Sequence, residues 1–250
     1  MTDKETMKYK IGIDEVGRGP IAGPVAVCAF LVKDEKFIET CLGQTYAKKD
    51  IGPSYLKLPK LKDSKKLSKK QREVWFEYLC GAKAEGFCDF SVSFVSSENI
   101  DKFGIAKCIQ KALNESLLKV TSQELPFVRS SDLLAEDSFF EDGSSARPSQ
   151  KAIPASFHVY LDGGLHAPIE FINQETIIRG DELHPIISMA SIVAKVSRDK
   201  VMTNYAKDYP EYGFEKHVGY GTKAHYEAIK KHGQTSIHRK TFIHDKHPKT

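Results

Sequence analysis

The chain holds 250 residues, 40% hydrophobic and 28% charged, with a formal net charge of +4. That length gives one large domain, or a domain with an appendage, and is enough to bury a substantial core. Five cysteines, at 28, 41, 80, 88 and 108, show no metal-type Cys-x-x-Cys spacing. No apolar run reaches signal-peptide or membrane-span length, so the expectation is a soluble cytoplasmic protein with reduced thiols.

Near the start, Ile11 and Ile13 alternate as in a half-buried strand that runs into two adjacent carboxylates, Asp14 and Glu15. Gly17-Arg18-Gly19-Pro20 then makes a turn, and 24–32 (PVAVCAFLV) is a second apolar strand. A strand hairpin with acid at its bend is predicted. Asp34 to Pro59 is mixed and punctuated as loop by Gly52-Pro53 and Pro59. Between Lys57 and Arg72 stand eight basic residues against one acid, Asp63, and Ser68 is placed to cap a helix carrying Val74, Trp75, Tyr78 and Leu79. Phe87 to Val95 reads as a strand and Asn99 to Val120 as a helix.

Composition then shifts. Residues 121–156 hold six acids and many Ser and Pro, which predicts an insertion or mobile loop dividing a catalytic unit of 1–120 and 157–250. Phe157 to Leu161 is a strand ending in Asp162-Gly163-Gly164. A further strand over Glu170 to Ile178 leads to Arg179-Gly180-Asp181, and Pro185 opens a helix from Ile186 to Thr203. Tyr209 to Gly221 reads as loop, and Thr222 to Lys231 as a short basic helix. From Lys195 onward there are twelve Lys and Arg against six acids, with six of the nine histidines. Two basic blocks on one chain raise the prospect of a polyanionic partner. The element order predicts a mixed sheet flanked by helices.

Three acidic points therefore close three apolar strands: Asp14 with Glu15, Asp162, and Asp181. Each has a bland alternative as a turn or capping residue. Together they predict a carboxylate cluster, whose mutual repulsion calls for a cation. Oxygen-only donors suit Mg²⁺ or Mn²⁺, and two such ions can flank a scissile phosphate. Because neighbours in a strand face opposite ways, Asp14 and Glu15 share one site only if the strand ends there or Glu15 ligates through its main-chain carbonyl.

Ile13-Asp14-Glu15-Val16-Gly17-Arg18-Gly19-Pro20 closely resembles the signature of type 2 ribonucleases H, specifically ribonuclease HII. The resemblance continues through Asp63-Ser64-Lys65-Lys66-Leu67-Ser68, Leu161-Asp162-Gly163, Gly180-Asp181, residues 188–199 (SMASIVAKVSRD) and residues 219–225 (GYGTKAH). Six motifs in order are highly specific. The resemblance implies a ribonuclease H fold, with a C-terminal helical, basic extension. It implies Asp14, Glu15, Asp162 and Asp181 as catalytic metal ligands for two divalent ions. It implies Gly17, Arg18 and Gly19 as the turn that senses a ribose 2′-hydroxyl, and Tyr220 as the ring on the sugar beyond the junction. A 2′-hydroxyl both donates and accepts, so a rigid amide-rich turn has a partner that DNA lacks.

Lys65 and Lys66 are expected on substrate phosphates. The expected substrates are RNA·DNA hybrids and DNA duplexes containing ribonucleotides, cut by a monomer without membrane attachment. A catalytically silent nucleic-acid-binding module is the rival reading, and ribonuclease HIII-like hybrid cleavage a second enzyme reading. Asp199 is read as an ion pair on charged surface with Arg198 and Lys200. His217 and His225 are read as neutral surface or phosphate-contacting groups.

Overall fold

A computed structural model describes residues 9–43, 58–122 and 156–243. The predicted segment 121–156 therefore lies almost wholly outside the described residues. Five strands form one mixed sheet in the order β3-β2-β1-β4-β5. β1 (Tyr9–Val16) pairs antiparallel with β2 (Val25–Val32), which pairs antiparallel with β3 (Cys88–Val95). On its other side β1 runs parallel to β4 (Phe157–Asp162), and β4 parallel to β5 (Gln174–Ile177). The predicted hairpin, mixed sheet and flanking helices are all present.

Period-two geometry divides the core into two layers. Val25, Val27, Ala29 and Leu31 join Ile11, Ile13, Val159 and Leu161 in one apolar cluster with Ile109, Leu113 and Leu117. Cys28, Phe30 and Val32 face the other way, against Trp75, Tyr78, Leu79, Met189 and Val193. β2 is buried along its whole length because both of its faces are covered.

The first layer is supplied by α4 (Ile105–Thr121) and the second by α2 (Lys69–Ala84). Ser68 caps α2 as predicted: its hydroxyl accepts from the Gln71 amide, and Gln71 answers to the Ser68 amide at 2.9 Å. The helix predicted from Asn99 is two, α3 (Ser97–Phe103) and α4, because the chain turns at Gly104 with φ of 82°. Glu35–Gly43, read from sequence as loop, is a helix, α1, that buries Phe37 and Cys41.

The predicted strand over Glu170 to Ile178 shrinks to β5 and is followed by a single helical turn, α5 (Gly180–Leu183). The long helix α6 (Pro185–Asp208) outruns its predicted end at Thr203. Residues 186–194 of α6 are all buried, as befits a helix sandwiched between the sheet and α2. Gly12 lets this contact close: a Cβ there would lie 2.5 Å from the backbone of Ile186. Part of the predicted loop before Gly221 forms α7 (Phe214–His217), which precedes α8 (Lys223–His232).

Candidate active site

The two-layer register decides where the acids point. Ile11, Ile13, Val159 and Leu161 face α4, so Gly12, Asp14, Tyr160 and Asp162 face α6. Gly12 is paired with Tyr160 and Ile13 with Leu161, which sets Asp14 and Asp162 side by side at the end of the parallel pair. Pairing of β1 with β4 stops at Ile13, whereas pairing with β2 continues to Val16. Glu15 thus stands at the open end of the sheet, where its longer side chain reaches the same place despite its parity. Asp14, Glu15 and Asp162 each bring a carboxylate oxygen within 4.8 Å of the others. The strand does not end at Glu15, and it is the carboxylate, not only the main-chain carbonyl, that joins the cluster.

Asp181 lies at the border of this group. Its amide donates to Asp162 Oδ1 at 3.3 Å, and its buried carboxylate accepts from Lys65 Nζ at 2.9 Å. Lys66 pairs with the neighbouring Glu182 at 2.5 Å, and Arg179 with the same carboxylate at 2.8 Å. Each of the two lysines therefore has an acid partner on α5. The turn Ser64–Lys66 that carries them is fastened to α6 by a 2.8 Å bond between the Ser191 and Ser64 hydroxyls.

The cluster is charged at a cost. Burial, and then Glu15, pushes the Asp14 carboxyl well above its ordinary range, while a Ser191 hydrogen bond offsets part of this. Burial also raises Glu15, against the lowering influence of Arg18. Asp162 is raised by burial and then by Asp181. Glu15 gives one oxygen to Arg18 at 3.1 Å and leaves Oε2 buried with no hydrogen-bond partner among the described residues. Convergent carboxylates with raised pKa values and an orphaned oxygen fit a hard divalent cation, whose charge would reverse that penalty.

Beside the acids two loops are laced together. The amides of Ile21 and Ala22 donate to the Gly219 carbonyl at 2.9 and 3.2 Å. Gly219 permits this approach: with φ of 88°, its Cβ would sit 2.3 Å from the Ala22 oxygen. Val218 before it is β-branched yet has φ of 44°, a strained conformation that the surrounding contacts hold in place. Tyr220 is 45% exposed, and its ring lies next to Gly19, whose Cβ would be 4.0 Å from the ring edge. The turn and the tyrosine singled out from sequence are neighbours.

Two arginines that sequence reasoning missed hold these loops from beneath. Arg198 was read as surface charge, but it is fully buried. Its guanidinium donates to the carbonyls of Pro24, Val218 and Ala22 at 2.8, 2.9 and 3.2 Å. Arg239, also fully buried, donates to Gly17, Gly23 and Arg18 carbonyls at 2.7, 2.9 and 3.2 Å. Burial brings the Arg198 and Arg239 guanidiniums down to about 10 and about 9, so both stay cationic at neutral pH. Replacing Arg239 by Met should cost about 3 kcal/mol or more of stability in denaturant melts, since each buried acceptor left unpaired costs roughly 1–3 kcal/mol. Asp199, by contrast, does form an ion pair, but with Lys195 at 2.8 Å rather than with Arg198 or Lys200. His225 is not a surface group: it is fully buried.

Comparison with known proteins agrees with this arrangement. The ribonuclease HII family profile matches residues 11–126 and 151–245. Ribonuclease HII of Endomicrobium trichonymphae is 38% identical over 231 residues, 92% of this chain and 83% of that protein. The Bacillus cytotoxicus ribonuclease HII is 35% identical over 96% of this chain and 70% of its own length. Among solved structures, ribonuclease HII of Archaeoglobus fulgidus, determined in complex with PCNA, superposes with a TM-score of 0.60 at 23% identity, covering 94% of this chain and 96% of that one. Bst-RNase HIII in complex with Mn²⁺ gives 0.58 at 15% identity over 96% and 68% of the two chains. The structural likenesses carry the fold, and the sequence matches carry the family. With Asp14, Glu15, Asp162, Asp181, the Gly17-Arg18-Gly19 turn and Tyr220 all inside the matched residues, the chain belongs to the ribonuclease HII family of nucleases.

Proposed function

We propose that this protein is a divalent-metal-dependent endonuclease that cuts the RNA strand of RNA·DNA hybrids and cuts at ribonucleotides embedded in duplex DNA. The observation that carries the reading is the convergence of Asp14, Glu15 and Asp162 carboxylates, one oxygen orphaned, next to the turn at Gly17 and the exposed ring of Tyr220. A pure nucleic-acid binder gains nothing from buried carboxylates beside phosphate. When bound, two Mg²⁺ or Mn²⁺ ions supply an activated water and charge stabilisation for the leaving oxygen.

Asp14 and Asp162 would hold these ions at the centre of the site, with Glu15 and Asp181 outside them. Backbone amides of Gly17, Arg18 and Gly19 meet the 2′-hydroxyl, and Tyr220 packs on the following deoxyribose. Lys65 tethers Asp181 in the free protein and, like Lys66 and Arg18, is close enough to turn toward phosphate when substrate arrives. Hydrolysis breaks the P–O3′ bond, placing the water oxygen on phosphorus and leaving 3′-hydroxyl and 5′-phosphate ends. Residues 1–120 and 157–250 would act as one catalytic unit in a reducing, cytoplasmic setting, in keeping with five free cysteines.

The test is an end-labelled DNA duplex with one ribonucleotide, incubated with Mg²⁺, with Mn²⁺ and with chelator. Cleavage at the ribonucleotide with either metal, none with chelator and none on all-DNA duplex is the expected result. Binding without cleavage under every metal condition would leave the protein a binding module.

A further inference from the structure

Behind Tyr220 lies a pair of rings for which the reaction has no use. His225 and His238 are both buried, with their Nε2 atoms 3.1 Å apart. Their protons are placed from the Tyr220 end, where the partner is a carbonyl that only accepts. At the Thr235 end the hydroxyl, 2.9 Å from His238 Nδ1, can donate as well as accept. The Thr235 amide donates to His238 Nδ1 at 2.9 Å, in keeping with a lone pair on that nitrogen and the ring proton on Nε2. At the other end His225 Nδ1 lies 2.9 Å from the Tyr220 carbonyl oxygen, which only accepts, so the His225 proton sits on Nδ1. The facing nitrogens then form one bond, donated by His238 and accepted by His225. Three hydrogen bonds run in a single direction, from Thr235 to His238 to His225 to Tyr220.

The surroundings keep both rings neutral. His217 stacks on His225 with ring centroids 4.4 Å apart, and Phe214 and Tyr212 cover the pair. His217 is itself held in place, its Nε2 reaching the Tyr212 carbonyl at 2.7 Å while its Nδ1 accepts from the Gly219 amide at 3.3 Å. Burial lowers His225 and His238 to about 4. A second proton on His225 would oppose two N–H groups across the 3.1 Å gap. The far end of the chain is fixed as well, since His238 bridges to Ala22 and the next residue, Arg239, holds the Gly17 and Arg18 carbonyls.

We propose that His225 and His238 are positioning residues for substrate discrimination: a one-way relay of neutral imidazoles that fixes the Tyr220 backbone and so sets its ring against the Gly17-Arg18-Gly19 turn. The inference rests on the role given to Tyr220 above.

Two measurements test it. In the native protein, long-range ¹H–¹⁵N correlation of labelled histidines at neutral pH should find His225 protonated on Nδ1, the minor tautomer of a free histidine side chain, and His238 on Nε2. His225 protonated on Nε2 would overturn the relay, whatever the variants do. Second, the ratio of kcat/KM on a single-ribonucleotide duplex to that on a long hybrid should fall about tenfold in His225→Leu, the scale of one lost hydrogen bond. His225→Asn, which keeps a donor where Nδ1 stood, should restore most of the ratio. A folded His225→Leu with the native ratio refutes the inference, and if that variant fails to fold, the tautomer measurement decides alone. Tyr220→Ala in the same assay separates the two ideas. An unchanged ratio there overturns the reading of Tyr220 and this inference with it, whereas a fall in Tyr220→Ala alone overturns only the relay.

Discussion

Asp14→Asn is expected to abolish cleavage, to leave substrate binding intact or tighter, and to raise the melting temperature of the metal-free protein. The asparagine is nearly isosteric, and its side-chain oxygen can still accept from the Glu15 amide, a bond of 2.8 Å in the native chain. The fold therefore has no reason to change. What disappears is one negative charge at the centre of the cluster, and with it the strongest site for a cation. Residual activity above about a hundredth of the native rate, in this variant or in Asp162→Asn, would break the assignment of these residues to a two-metal site.

The stability gain has a worked sign. The native Asp14 carboxyl is raised chiefly by burial and next by Glu15, so ionising it at neutral pH costs the folded state more than the unfolded one. That cost is absent below the unfolded carboxylate value of about 3.9, grows as pH rises, and is complete once pH has passed the folded value. With chelator present, Asp14→Asn should then melt above the native protein at neutral pH, and the two should converge as the pH falls. A variant that melts lower at neutral pH would mean Asp14 is held chiefly by structural hydrogen bonds.

Tyr220→Ala is expected to lose about tenfold to a hundredfold on a single embedded ribonucleotide, the range of a stacking contact worth roughly 1–3 kcal/mol. The loss on a long RNA·DNA hybrid should be proportionately smaller. A deoxyribose lets a flat ring pack closely, and a ribose 2′-hydroxyl at that position would crowd it. The half-exposed ring beside Gly19 leaves such a sugar room to approach. Tyr220→Phe should retain most activity on both substrates, since the ring supplies the contact. Equal losses on the two substrates in Tyr220→Ala, with the melting temperature unaltered, would remove the tyrosine from junction sensing.

Much of the fold was legible because local signals and long-range packing agree. The alternation around Ile11 and Ile13 gives β1 its inner face, and Ser68 with Gln71 starts α2 through a bond pattern written within four residues. The grouping of Asp14 and Asp162 was open to inference because parallel strands in register share faces. Glu15 was the ambiguous member, since its parity argues against the site and only the early end of β4 pairing admits it. Arg198 could not be read correctly from its neighbours. Asp199 and Lys200 flank it on a helix, and its partners Ala22 and Pro24 stand 176 and 174 residues away. The α1 helix was missed for a related reason: its amphipathic span is short, and the glycine and prolines after it dominate the reading of that region.

The bond from Arg239 to the Gly17 carbonyl spans 222 residues of chain. A ribosome therefore releases the acids, the hairpin and the long helix well before the guanidinium that settles the turn at Gly17 and Arg18. During synthesis the acid cluster is thus complete in sequence before the turn beside it can be secured. Until Arg239 emerges, the Gly17, Arg18 and Gly23 carbonyls lack the guanidinium that pairs them in the folded chain, so the final shape of this turn waits on a residue made long after it.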